Sequence, residues 1–235
     1  MRYGRLPAQF PGSVKDLTTY VAGPLPAPPS EATVPHVAWG MLGNDRYGDC
    51  GVAGLEHAFE ADAAIANESE SEPDDQQAID YYLAYTDGQD TGVVLSQYLA
   101  HVRAHGYYGH TVDSFAPVTV SDVPTLQSVV SLFGFAYTGI TVTSSMEEAF
   151  GQGVPWTTSL AQGAVAGGHC VPIVGFDDSF LYAVTWGGVQ PISYPAWHLI
   201  ADEAWAVLTG EFVQAGGDGH VNLAALRADI DRMAA

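Results

Sequence analysis

Basic residues are scarce in this chain, with 7 Lys and Arg against 27 Asp and Glu and a formal net charge of −20 over 235 residues. A field of that sign repels phosphate backbones and anionic lipid headgroups, which argues against nucleic-acid partners and against membrane docking. Cysteine is nearly absent as well. Cys50 and Cys170 are too few for a disulfide framework, and a bridge between them is the lesser option in a reducing compartment. No apolar run approaches the roughly 20 residues that span a bilayer. The opening MRYGRLPAQFPG lacks the apolar centre of a secretory signal. These absences imply a protein made and kept in a cytoplasm, or packaged from there.

What is present is a core. Hydrophobic residues make up 47% of the chain, with 5 Trp, 12 Tyr and 9 Phe, enough for one substantial core or two packed lobes. Residues 1–36, with the stretch PLPAPPSEATVP, read as a Pro-rich extended arm that must lie on something, its own body or a neighbouring subunit. Residues 37–210 read as the main domain and 211–235 as an extension ending in a helix capped by Asn222.

Within the main domain, helices are expected from Cys50 to about Ala66, over Gln76–Tyr85, Val93–His105 and Val123–Phe133, and as a short turn at Met146–Phe150. The acidic Glu68–Asp75 reads as a loop and Ala136–Val142 as a strand. Cys170–Phe176 and Phe180–Trp186 read as a β-hairpin turning on Asp177-Asp178-Ser179, with Pro172 marking an edge or a bulge. Val189–Ser193 reads as a further strand. Ser193 and Pro195 then open a helix expected to run to about Leu208. Helices first and strands later give an α+β class with a mostly antiparallel sheet.

The strongest local signal is Gly43-Asn44-Asp45-Arg46-Tyr47-Gly48-Asp49-Cys50-Gly51-Val52-Ala53-Gly54. It puts a cysteine where a Gly-rich turn becomes a helix, and helix N-terminal amides favour a thiolate and can donate to an adjacent oxyanion. The bland alternative is a small buried hydrophobe. A thiol nucleophile needs a base. His57 sits two turns further on, about 10 Å away, too far for a hydrogen bond, and reads as a packing or surface residue. His101, His105 and His110 read as solvated, and no ligand set nearby supports a metal or other cofactor. His169, after Ala166-Gly167-Gly168 and at the start of an apolar strand, can face a cleft, and the hairpin register puts Thr185 on the same face, where its hydroxyl could orient the imidazole. The alternative is a satisfied core histidine at a strand end. Cys170, next along the strand, reads as core.

The order Asn44, Cys50, His169, Thr185-Trp186-Gly187 resembles the papain-like cysteine peptidases and the related bacteriocin-processing peptidases. In those families a Gln six positions before the cysteine helps form the oxyanion hole, and Asn44, one methylene shorter, stands there. An Asn or Asp some 16 residues after the histidine orients it, and the neutral Thr185 stands there, followed by the matching Trp186-Gly187. Over roughly Val37 to Leu208 the chain is similar to a group of papain-like proteins from actinobacteria and their phages. It shares the WGMLGND-x-x-GDC opening at Trp39–Cys50 and the TWG-x-x-Q-P stretch from Thr185 before Glu203-Ala204.

The resemblance implies a papain-like fold and one of two functions. The first is a thiol hydrolase acting on a peptide or protein, with Cys50 as nucleophile, His169 as base, Thr185 orienting it and Asn44 at the oxyanion. The second is a non-enzymatic virion component, in a phage head or tail, that meets neighbouring subunits through the arm. A cleft open to solvent would favour the first; a cleft plugged by the arm or another subunit would count against it.

Overall fold

The computed structural model describes residues 1–66, 73–217 and 220–233, and the expected acidic loop falls largely outside them. Leu42 and Gly43 take positive φ, 54° and 87°, turning the chain towards the first helix, and a Cβ at Gly43 would lie 2.4 Å from Ile79. The Asp49 carbonyl accepts from the amides of Val52 and Ala53, and helix α1 begins at Cys50 and runs to Ala66. Its small residues permit close packing. A Cβ on Gly51 would come within 2.3 Å of Val93, and one on Gly54 within 3.1 Å of the Cys170 sulfur.

Helices α2 (Asp75–Tyr85) and α3 (Leu95–His105) follow, α2 opened by a capping box between Asp74 and Gln77. Val94, Leu95, Tyr98, Leu99 and Val102 are buried as one stripe. The remaining order is β1 (Val112–Pro117), α4 (Val123–Phe133), β2 (Ala136–Thr143), α5 (Ser144–Gly151), α6 (Thr158–Ala161), β3 (Val165–Phe176), β4 (Phe180–Thr185), β5 (Gly188–Ser193), α7 (Tyr194–Ile200), β6 (Ala201–Thr209), α8 (Gly210–Gln214) and α9 (Leu223–Asp231). The six strands form one sheet in the order β1-β6-β2-β3-β4-β5, with every neighbouring pair antiparallel. Helix α1 packs on β3. The class is α+β, as the sequence predicts.

Two expectations need correction, the extent of the helix after Ser193 and the cap at Ser193. The helix opened at Ser193 stops at Ile200, and Ala201–Thr209, including Glu203-Ala204, is a strand inside the sheet. Its Ala, Glu and Leu content favours a helix, but pairing on both sides, Tyr137 with Trp205 and Phe115 with Val207, overrides that preference. Ser193 holds the N-cap position without a side-chain cap bond. Strand β3, with Pro172, lies inside the sheet, not at its edge. Of the two alternatives expected at Pro172 it is the bulge that the strand approaches: the pairing with β4 begins at Ile173, so the missing N–H falls just outside that ladder, and the register shifts between Ile173 and Gly175. Strand β1 was not anticipated from the sequence.

Residues 1–36 lie on the body of the same chain. Leu17 and Tyr20 are buried in the core, Ala32 exchanges two backbone hydrogen bonds with Phe176, and Tyr20 meets the last helix through its carbonyl (Asn222 N–H, 2.6 Å) and its hydroxyl (Asp229, 2.6 Å). Asn222 caps α9 by accepting from the Ala225 amide.

Candidate active site

Cys50 stands at the first turn of α1, and β3 carries His169 opposite it. Both line a residual cavity of about 10 Å³, at the lower limit for one water, together with Asn44, His57, Thr185 and Trp186. The structure thus brings together all four residues singled out from the sequence. His169 Nε2 is 2.7 Å from Thr185 Oγ1, and the indole of Trp186 stacks on the imidazole at 4.7 Å between centroids. With the Nε2–H tautomer donating to Thr185, Nδ1 is left as a buried atom without a hydrogen-bond partner. Trp186 and Gly187 take positive φ, 46° and 76°, which turns the chain directly after Thr185. Asn44 is buried, and its amide group donates to Asp49 Oδ1 at 3.0 Å and to the Tyr47 carbonyl at 3.3 Å.

The site is covered by residues 1–6. Backbone hydrogen bonds run from Arg2 N to Asn44 O (3.3 Å), from Val93 N to Gly4 O (2.7 Å), from Arg5 N to Gly168 O (3.2 Å) and from Leu6 N to Val93 O (2.9 Å). Gly4 is in contact so close that a Cβ on it would overlap the Gly48 carbonyl oxygen at 1.6 Å. Tyr3 meets the His169 ring edge-on at 5.9 Å and donates its hydroxyl to Glu147 at 2.5 Å. The Arg5 guanidinium pairs with Asp202 and with Glu203. Cys50 and His169 are each only 1% exposed.

Burial sets the electrostatics. Loss of water pushes the Cys50 thiol up to about 11, partly countered by the Cys170 and Gly4 backbone amides and by Arg5. Burial, then the charge of Arg5, brings His169 down to about 3. Asp49 is raised to about 7, chiefly by burial. In this closed form the pair is a neutral thiol facing a neutral imidazole.

Of the other histidines, His57 is buried, as the packing alternative of the sequence reading has it, and His101 and His110 differ from theirs. His57 lines the cavity, its Nε2 2.9 Å from the Gly40 carbonyl, with burial lowering it to about 4. His105 is exposed, His101 is half-buried and stacked on it, and His110 is half-buried and stacked on Phe59 at 4.6 Å, so only His105 matches the solvated reading. Cys170 is buried against α1, and both cysteines are free. Tyr3, Arg5, Glu147 and Glu203 were missed. The available signal was that two of the seven basic residues, Arg2 and Arg5, fall within the first five positions.

Solved structures similar to this chain include cysteine proteases. Xylellain, a cysteine protease from Xylella fastidiosa, superposes with a TM-score of 0.61 at 17% identity, over 88% of this chain and 95% of that one. The fold is papain-like. Procathepsin L 3 from the larval midgut of Tenebrio molitor gives 0.57 at 15% identity over 88% and 75% of the two chains. The cysteine protease and lectin-like domains of the Clostridium difficile surface-layer-associated protein Cwp84 give 0.56 at 11% over 88% and 55%. No protein-family model and no curated protein matches the sequence. Among the described residues, no helix is long and apolar enough to cross a membrane.

Proposed function

We propose that this chain is a papain-like thiol hydrolase of peptide or amide bonds, held in a resting state by its own residues 1–6. The observation that carries the reading is the meeting of Cys50, at a helix start, with a histidine whose far nitrogen is tied to Thr185. Catalysis begins when the arm lifts. Water then reaches the site, which lowers the thiol and raises the imidazole by relieving the burial that shifted both. His169 Nδ1 takes the Cys50 proton, and the sulfur attacks the substrate carbonyl carbon. The oxyanion sits against the first-turn amides of α1 and the side chain of Asn44, which gives up its bond to Tyr47 or Asp49 to donate there. His169 returns the proton to the departing amine. Water, deprotonated by His169, cleaves the thioester and restores the thiol.

The arm's covering of the cleft counts against turnover in this closed state, and the hydrolase reading therefore requires displacement. The same arm lies on its own chain, which meets the requirement for an ordered arm without a neighbouring subunit. Kinship with actinobacterial and phage proteins rests on the Trp39–Cys50 and Thr185–Pro191 motifs alone. The test is hydrolysis of a mixed peptide pool by the Arg5→Ala chain, in which the arm is loosened. Cleavage that vanishes with Cys50→Ala supports the hydrolase; no cleavage in either chain favours a virion structural role.

A further inference from the structure

The arm does more than cover the sulfur. Gly4 places its backbone amide at Cys50, and the next residue, Arg5, bonds through its own amide to the carbonyl of Gly168, beside His169, so its side chain leaves the arm next to the Cys50–His169 pair. There it enters a slot walled by carboxylates. Glu203 is fully buried, Asp202 is partly exposed, and both receive the guanidinium. Trp205 Nε1 donates to the other Glu203 oxygen at 2.8 Å, and Thr141 donates to Asp202 at 3.0 Å, so the acids are aimed before any cation arrives. Glycine makes the room. A Cβ on Gly139 would lie 2.5 Å from Arg5 Cδ and 2.7 Å from Glu203 Cγ, and one on Gly168 would lie 2.5 Å from the Arg5 carbonyl oxygen.

When the arm lifts, Glu203 loses the Arg5 guanidinium while remaining inside the sheet. A buried carboxylate in that state must recruit another cation or take up a proton. We infer that the Gly139–Glu203 slot is a specificity subsite that accepts an arginine or lysine side chain of the substrate, within one or two residues of the bond presented to Cys50, and that Arg5 occupies it as a pseudosubstrate. The inference rests on the hydrolase reading for its mechanism, but the binding it requires does not.

Two measurements separate them. In the full chain carrying Arg5→Ala, peptidyl thiol electrophiles that differ only in Arg, Lys, norleucine or Glu at one position are compared by their rate of Cys50 modification. Arg and Lys probes are expected to react about 10-fold or more faster than norleucine, with Glu slowest, as for a charge-assisted contact. Adding Glu203→Gln is expected to erase most of that preference. In parallel, binding of a fluorescent Arg-containing peptide amide, and of its norleucine twin, is measured on Arg5→Ala/Cys50→Ala, where no reaction is possible. Equal rates and equal binding for Arg and norleucine overturn the subsite while leaving the thiol chemistry intact. Arg-selective, Glu203-dependent binding with no Cys50 modification overturns the hydrolase reading and keeps the subsite. Selectivity that persists in Glu203→Gln overturns the assignment to this slot.

Discussion

Replacing Arg5 with alanine tests the latch directly. The guanidinium bridges Asp202, whose side chain is 39% exposed, and Glu203, whose side chain is 0% exposed. Removing one partner of a buried pair costs ~3–5 kcal/mol. Burial already raises the Glu203 carboxyl, so it can accept a proton in place of the lost cation, which argues for the lower end of that range. The exposed Asp202 contact adds no more than ~1 kcal/mol. A loss of ~3 kcal/mol of docking, at 1.4 kcal/mol per decade, raises the open fraction of the arm about 100-fold. The backbone bonds of residues 2–6, each worth ~1 kcal/mol, remain and keep the chain mostly closed. The assay is the rate of Cys50 alkylation by a small neutral electrophile, followed by mass spectrometry, with buried Cys170 as an internal reference for global unfolding. Cys50 is expected to react about 100-fold faster in Arg5→Ala while Cys170 does not change. A change of less than about 3-fold at Cys50, or an equal acceleration at Cys170, would refute the reasoning.

Four further outcomes follow from the same geometry. Gly139→Ala, whose Cβ would collide with Arg5 and Glu203, is expected to expel the arm and accelerate Cys50 alkylation as Arg5→Ala does, while abolishing any Arg preference. Thr185→Val removes the 2.7 Å partner of His169 and, in the Arg5→Ala background, is expected to lower kcat about 10- to 100-fold with little change in KM, whereas Thr185→Asn restores it; steady-state kinetics check both. Alkylation of the closed chain should climb with pH towards about 11, and in Arg5→Ala the midpoint should fall, because burial is the largest cause of the raised thiol. His169 is held neutral down to about 3 against an ordinary value of 6.5, so between those limits the unfolded chain binds a proton that the folded one does not, and stability falls as pH drops through that window. His169→Asn should show a shallower loss of Tm over the same range.

The parts of the fold legible in the sequence were those set locally. Helix α1 begins where the Gly-rich turn predicts, and the β3–β4 hairpin turns on Asp177-Asp178-Ser179 because Asp177 caps its own turn through the amides of Ser179 and Phe180. Thr185 was found because strand register is arithmetic. Strand β6 was missed because its residues prefer a helix and only its neighbours make it a strand. The path of the arm was missed for the same kind of reason: Arg5 meets Glu203 across 198 residues of sequence, and nothing local in MRYGRL announces that partner.

The central claim is that Cys50 is a nucleophile served by His169. Intact-mass analysis of the Arg5→Ala chain exposed to a peptidyl electrophile tests it most directly, alongside the same chain carrying Cys50→Ala or His169→Ala. The account predicts a single adduct in the first, none at position 50 in the second, and an adduct forming at least about 100-fold more slowly in the third. No adduct on Cys50, or one that forms just as fast without His169, would contradict it.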